Sequence, residues 1–536
     1  MRNLYVVAIG GSGERVMRSL IMLLTSGVSV NAERVIPVFI ENDIKSAALN
    51  SCLKLFKYYH NDQADNSYAG VGVNMIYTQN LADKAKWPSF CRTTIAQPII
   101  LNQAGDAIGT LADVIGHYDA TQPIYNRINE ERDLLFTADD LSMPLTVGFV
   151  GNPNIGSVVL NSHSLSHQTF EDIKASLSNK DGMIVIGSLF GGTGAAGIPL
   201  VINSINELPL NNRPVLGTIA ILPYFITNQC ITVNNGVIDT SKYNVQSDAF
   251  DAKTRAALMY YAEYMKNMDC MYYVGDSKAK DMYIHCVGGE EQDNRAHLVE
   301  VMSALSIIDF AKQERGNNTT YKRPVWGIND QQDGDVRKLP TNVSGIRNKD
   351  LARALVKFRM MMQIFRDPDL LMRSINQKHP YATNLGFTEA MRKDVIQENR
   401  ANGNVSTWGL NNMLREWEMW MNQLGVDIAN RQFKIYDSIH PATDKDLTSK
   451  FYSETGFGIA KTELKGTGLL GLGPKAEVAM DADIQEYLAN AYDKLYPKGT
   501  KEDALKLNDN DRLPRLLQII SNALDEVLEK RCNDEV

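Results

Sequence analysis

The chain has 536 residues, 44% of them hydrophobic, and a formal net charge of −8. That apolar share excludes a largely disordered chain, the length asks for two or three domains, and the acidic balance excludes a generic nucleic-acid binder, whose phosphate contacts need a basic surface. Its six cysteines are scattered with no CxxC pair, the usage of reduced thiols in a cytoplasmic protein rather than of a disulfide framework.

Residues 3–9 are an apolar, β-branched run that reads as a buried strand. Gly10, Gly11, Ser12 and Gly13 follow at once, then Val16, Leu20 and Leu23 at helical spacing. This apolar start is too short for a signal peptide and has no cleavage site. A second strand, 35–40, ends in Glu41, Asn42 and Asp43. Residues 51–144 read as an insertion on the domain surface. A loop and helix are expected over 101–115, and a helix over 126–136 sets Glu130, Glu131 and Arg132 on an exposed face. A strand at 145–150 leads into Gly151, Asn152 and Pro153, and a helix is expected about 168–178.

The stretch 183–197 is the most informative. A strand from Met183 runs into Gly191, Gly192, Thr193 and Gly194, and a helix is expected at 198–205. Strand, glycine loop and helix together make an anion cradle. Glycines let backbone amides approach an anion, and the following helix N-terminus carries partial positive charge. No Gly-Lys-Ser/Thr follows, so this is not a P-loop. A strand at 214–225 then ends in Pro223, Tyr224 and Phe225, and residues 226–249 read as a long loop lying over a nucleotide. Phe250, Asp251 and Arg255 precede a helix at 254–266 and a strand at 269–274. Asn294, Ala296, His297, Val299 and Glu300 open a long central helix.

Six segments in this order, over roughly residues 1–315, resemble the nucleotide loops of the tubulin/FtsZ superfamily. The Asn294-to-Glu300 pattern is similar to that of divergent bacterial tubulin-like proteins that are neither FtsZ nor eukaryotic tubulin. The resemblance implies an α/β nucleotide domain, a Rossmann-like parallel sheet with helices on both faces, followed by a long central helix, an α+β second domain and C-terminal helices. It implies GTP/GDP and Mg²⁺ held by Gly10–Gly13 loop residues, Asn42, Asp43, Gly151, Asn152, Gly191, Gly192, Thr193 and Gly194. Asp251 and Arg255 would lie near ribose and guanine, and Asn294 would read the guanine edge. It also implies head-to-tail self-association, with hydrolysis completed by acidic residues of the next subunit. The chain departs from the family there: the nearest candidates are Asp330, Asp333 and Asp335, with Asp309 and Glu314 as alternatives. The glycine loops carry no Lys or Arg, so charge neutralisation falls to backbone dipoles and Mg²⁺.

The division expected is a nucleotide-binding domain over 1–315, a connection over 316–348 and a second domain over 349–536. In the last part, the Met-rich run 359–365 reads as core, and Trp408, Trp417 and Trp420 read as anchors against a second-domain sheet or a neighbouring subunit. A glycine-rich hairpin or loop is expected at 456–473, with amphipathic helices at 484–496 and 513–530. The 51–144 insertion or the C-terminal helices could hold a protein partner, and no membrane insertion or nucleic acid is expected. Ser188 lacks the nucleophile-elbow pattern, and His163 and His167 lack further zinc ligands; both read as structural. Three functions remain open: a polymerising GTPase, a nucleotide-binding scaffold or sensor without hydrolysis in a multi-protein bacterial system such as a defence module, and a Rossmann-like metabolic enzyme.

Overall fold

The computed structural model describes residues 1–43, 45–60, 94–101, 109–116, 123–145, 148–149, 151–165, 168–227, 232–234, 237–239, 247–265, 267–276, 281–283, 295–313, 342–343, 346–347, 408–425, 460–465, 475–480 and 482–495, with scattered positions over 351–358 and 519–529. In chain order these include β1 (Asn3–Ile9), α1 (Gly10–Thr25), β2 (Arg34–Ile40), α2 (Ala47–His60), β3 (Thr94–Ile95), β4 (Ile99–Leu101) and the short helices α3 (Leu111–Ile115), α4 (Pro123–Leu135), α5 (Ala138–Leu141) and α6 (Pro153–Val159). There follow α7 (Gln168–Ser176), β5 (Gly182–Ser188), α8 (Gly192–Asn206), β6 (Val215–Ile221), β7 (Phe225–Thr227), β8 (Thr232–Asn234), β9 (Val237–Asp239), α9 (Phe250–Tyr264), β10 (Cys270–Val274), β11 (Asp281–Tyr283) and α10 (Leu298–Phe310). Beyond these lie β12 (Asn342–Val343), β13 (Ile346–Arg347), α11 (Trp408–Gly425), β14 (Ala460–Lys465), β15 (Lys475–Met480) and α12 (Ala482–Leu495).

The main sheet has the order β10-β6-β5-β1-β2-β3, with β4 also on β2, and its pairings are parallel. Its strands are apolar throughout because both faces are covered. Leu4, Val6 and Ala8 pack with α1, α2 and α10, whereas Tyr5, Val7 and Ile9 pack with α6, α7 and α8. This is the α/β fold expected from the sequence. The 51–144 stretch is not wholly a surface elaboration, since β3 and β4 extend the sheet beside β2. The strand expected at 145–150 is absent from its described residues. Gly148 takes a φ of 77°, which breaks an extended run. Part of the loop expected at 226–249 is the β8–β9 hairpin.

Strand order sets where a ligand fits. The connection from β1 through α1 moves to β2 on one side, and that from β5 through α8 moves to β6 on the other. β1 and β5 are neighbours, so the crevice at their C-terminal ends is the topological switch point of the sheet.

The tryptophans of α11 have a different role from the one expected. Trp417 Nε1 donates to Ser26 Oγ at 2.7 Å and Trp420 Nε1 to Ser19 Oγ at 3.3 Å, so both clamp α11 onto α1 of the N-terminal half. Both indoles are fully buried there, because amphipathic α11 has its apolar face free for α1 and α2. Leu488, Ala491 and Tyr492 of α12 join the same core. The 359–365 run and most of 456–473 lie outside the described residues. Trp417→Ala should cost about 3–5 kcal/mol of stability and Trp417→Phe about 1–2 kcal/mol, the latter for the lost hydrogen bond and some volume. Urea unfolding followed by circular dichroism checks both values. A smaller loss for Ala than for Phe would show that α11 does not anchor on α1.

Candidate functional site

Two helix N-termini meet at the switch point. Residue Gly10 begins α1 directly after β1, so the Gly10–Gly13 segment is the first turn of a helix rather than a loop. Likewise α8 starts at Gly192, inside the glycine run and ahead of the expected residue 198. Neither helix has a side-chain cap: the residues before them are Ile9 and Gly191. Their first-turn amides therefore lack the partner that Ser, Thr, Asp or Asn would supply.

Glycines make the approach possible. Gly10 has a φ of 68°, and a Cβ there would lie 3.1 Å from Thr193 Cβ and 3.6 Å from Gly194 N. A Cβ on Gly192 would lie 2.9 Å from Phe149 Cβ, 3.0 Å from Asn152 N and 3.2 Å from Gly151 N. Gly192 is thus required by the neighbouring Gly151–Asn152 turn rather than by a ligand. At Gly11 the same test meets nothing within 4 Å among the described residues, and Ser12 and Thr193 are part-exposed. The open part of the cradle is therefore Gly11, Ser12 and Thr193, with part-exposed Gly191 beside them, where a Cβ would lie 2.7 Å from Ser188 Oγ. Gly13 and Gly194 are buried against β1 and β5. Asn152 caps α6, its Oδ1 accepting from Asn154 N at 3.1 Å.

One buried ion pair ties these loops to α10. Arg15 Nη2 lies 2.6 Å from Glu300 Oε1, with both side chains nearly inaccessible. Arg15 also donates to Tyr283 Oη and to the Arg295 carbonyl, each at 2.9 Å, and Tyr224 Oη donates to Glu300 Oε1 at 3.1 Å. Burial, the largest influence, opposes the charged guanidinium, but the Glu300 carboxylate together with Tyr224 and Tyr283 holds the Arg15 pKa above its ordinary value. Phe190, Tyr224, Phe225 and Phe250 pack as tilted and edge-on rings beside the pair, and Phe225 stacks on Tyr283 at 4.9 Å. The central helix starts at Leu298 with His297 as its cap and Glu300 closing a capping box. Asn294 therefore precedes the cap instead of sitting in the first turn, and it lies outside the described residues.

A second buried group sits behind α1. Glu14 Oε2 accepts from Ser46 Oγ at 3.0 Å, while its Oε1, fully buried, has no hydrogen-bond partner among the described residues. Glu41 Oε1 accepts from Asn42 N at 2.7 Å and Asp43 N at 3.0 Å. Burial, reinforced by Asp43, pushes the Glu41 carboxyl up to about 7 against those amides. Burial and then Glu41 push Glu14 well above the usual carboxylate range. Asp43 is buried, and the Asn42 amide donates to the Leu145 carbonyl.

Phe250, Asp251 and Arg255 all lie on α9, which begins four residues before the expected 254. Phe250 is buried, whereas Asp251 and Arg255 are exposed. Asp309 accepts from Tyr272 Oη at 2.6 Å at the far end of α10. Asp330, Asp333, Asp335, Glu314 and His167 lie outside the described residues. Sequence reasoning passed over Glu14, Arg15 and Lys253. The signal for the first two was the presence of charges, Arg18 included, in an otherwise apolar helix.

No family model and no curated protein matches the chain. Solved structures similar to it include CetZ from Methanosaeta thermophila strain DSM 6194, at 14% identity over 51% of this chain and 46% of that one, with a TM-score of 0.22. Another is CetZ2 from Haloferax volcanii, described as a GTPγS-bound protofilament, at 11% identity over 58% and 59%, with a TM-score of 0.25. The matched region thus spans about half of those chains' length. Likeness at this level carries no functional argument, and function has to be read from the chain's own loops.

Replacing Arg15 with Met should cost about 3–5 kcal/mol, because Glu300 is left charged and buried. Adding Glu300→Gln, which still accepts from Tyr224, should recover a large part of that loss. Equal or greater destabilisation of the double variant in urea unfolding would show that the two residues do not act as a pair. Glu41 makes stability fall with rising pH. The folded state keeps this proton after the unfolded chain, with its ordinary value near 4.5, has released it. The melting temperature should therefore decline between about pH 4.5 and about pH 7, and Glu41→Gln should flatten the decline. An unchanged slope in the variant would assign the effect to other groups.

Proposed function

We propose that the chain is a cytoplasmic guanine-nucleotide-binding protein of tubulin/FtsZ type that associates head-to-tail, with GTP hydrolysis completed across the subunit contact. The observation that carries this reading is the meeting of two uncapped helix N-termini, at Gly10–Gly13 and Gly192–Gly194, at the sheet's switch point. Converging amides and helix dipoles form a site for a polyphosphate. The order of the flanking segments, from Gly10 to Asn294, supports a nucleotide of the superfamily's kind.

In this reading Gly11, Ser12, Gly191 and Thr193 hold the phosphates, and Gly151 and Asn152 close the cradle from the α6 side. Asn42 and Asp43 lie at its edge, Asp251 and Arg255 near the ribose, and Asn294 at the guanine edge. Among the described residues no three His, Cys, Asp or Glu side chains are grouped to hold a metal ion. Mg²⁺ would therefore come with the phosphates, which suits an ion usually held by one or two carboxylates plus phosphate oxygens. It would neutralise phosphate charge there. Asp330, Asp333 and Asp335 are assigned to the neighbouring subunit's nucleotide, where carboxylates would orient and polarise the attacking water.

A second reading, a scaffold or sensor that binds nucleotide without hydrolysis, is favoured by one observation: the acidic loop 330–335 departs from the family's spacing. The two readings differ in turnover. If the loop acts across a contact, the hydrolysis rate per molecule rises with concentration above an assembly threshold. The triple Asp330→Asn, Asp333→Asn, Asp335→Asn chain then binds GTP without turning it over. A rate per molecule that is flat on dilution rejects catalysis across a contact, and tight GTP binding without turnover selects the sensor.

Binding is tested separately. Thr193→Val keeps shape and removes the hydroxyl, so calorimetry should show GTP binding weakened by about 1–3 kcal/mol. GTP and GDP should bind more tightly than ATP, and Asn294→Ala should narrow that gap. Equal wild-type affinity for ATP would favour the Rossmann-like enzyme.

A further inference from the structure

The glycine loops contain no cation, yet one reaches them from α9. Lys253 Nζ donates to the Gly151 carbonyl at 2.8 Å. Gly151 is the residue whose amide lies 3.2 Å from the Cβ position of Gly192, at the first turn of α8. The ammonium is therefore held beside the cradle on its α6 side.

Helical spacing separates Lys253 from Arg255. Phe250, Thr254 and Tyr261 are buried on the inward face of α9, and Tyr261 Oη donates to the Ala195 carbonyl of α8 at 2.8 Å. Lys253, three residues from Phe250, lies half-buried at the edge of that inward face. Arg255 is two residues further on, about 200° around the helix, and is exposed. The two cations of the segment thus point in opposite directions.

The position of Lys253 is electrostatically unfavourable without a ligand. It stands near the N-terminus of α9, where the helix dipole disfavours a cation. It is partly buried, and among the described residues no carboxylate pairs with it. Burial pulls its ammonium below the ordinary lysine value. An anion in the cradle would offset these costs by pairing with the ammonium.

We propose that Lys253, and not Arg255, is the side chain that contacts the phosphates of the bound nucleotide, exchanging the Gly151 carbonyl for a phosphate oxygen. This rests on the reading of the cradle as a nucleotide site. The residue would act as a specificity determinant, favouring phosphorylated over unphosphorylated ligands.

The test titrates the full chain with GTP, GDP and guanosine by calorimetry, with circular dichroism confirming that each variant is folded. Lys253→Met should lose about 10- to 100-fold in GTP affinity, the range for a hydrogen bond to a charged group. It should lose less for GDP and nothing for guanosine, whereas Arg255→Met, on the ribose side, should lose affinity to the same extent for GTP, GDP and guanosine. At alkaline pH, wild-type binding of GTP should take up a proton, seen as a buffer-dependent heat, as phosphate returns the ammonium to its charged form. Lys253→Arg, always charged, should keep much of the affinity and lose the proton uptake, which a merely structural role would not produce. Wild-type GTP binding with equal affinity in Lys253→Met overturns this inference alone. A wild type that binds neither GTP nor GDP overturns the nucleotide site and the inference with it.

Discussion

Arg15 and Glu300 form the contact on which the site's arrangement depends. A guanidinium and a carboxylate in full burial are tolerated when each satisfies the other and most of their remaining hydrogen-bonding groups are met. Here the pair joins the second turn of α1 to the first turn of α10, and its spare donors and acceptors fall to Tyr283, Tyr224, the Arg295 carbonyl and the His297 amide, while the buried Arg15 Nε has no hydrogen-bond partner among the described residues. Those partners come from three separate stretches of chain. The aromatic rings of Phe190, Phe225 and Phe250 fill the space around them. The start of the central helix, the corner after β6, the start of α9 and the first glycine turn are thereby held in one geometry.

Charge is arranged differently on the two sides of the first glycine turn. Behind it, Glu14 and Glu41 are buried together and shifted toward their neutral forms. Two protonated carboxyls place less negative charge next to the converging amides than two ionised ones would. In front of it, the positive ends of α1 and α8 face the crevice, and Lys253 adds an ammonium from α9. The potential at the switch point is thus weighted toward an anion by backbone direction and burial, with few formal charges involved.

Much of this was legible in the sequence. Residues 3–9 and 183–188 are continuous apolar runs because a parallel sheet buries both faces, and that pattern survives in any reading of the chain. The glycine runs after β1 and β5 mark the same places in sequence and in space. Less legible were the roles of individual glycines. Gly192 reads as a phosphate contact, yet its missing Cβ makes room for Phe149 and the Gly151–Asn152 turn. The indoles of Trp417 and Trp420 read as anchors, but nothing in their spacing says that the partner is α1, nearly four hundred residues earlier, at Ser19 and Ser26. Such pairings are set by which apolar faces remain uncovered once the sheet has formed.

The sequence by itself determined the α/β class, the strand–glycine–helix units and the chemistry they can offer, because these follow from local periodicity and from the backbone freedom of glycine. Only the tertiary structure decided which loops meet, that Arg15 finds Glu300 across 285 positions of chain, and that Lys253 rather than Arg255 turns inward. Strand order and helix rotation settle those questions, and both depend on contacts between segments remote in sequence, which no local pattern records.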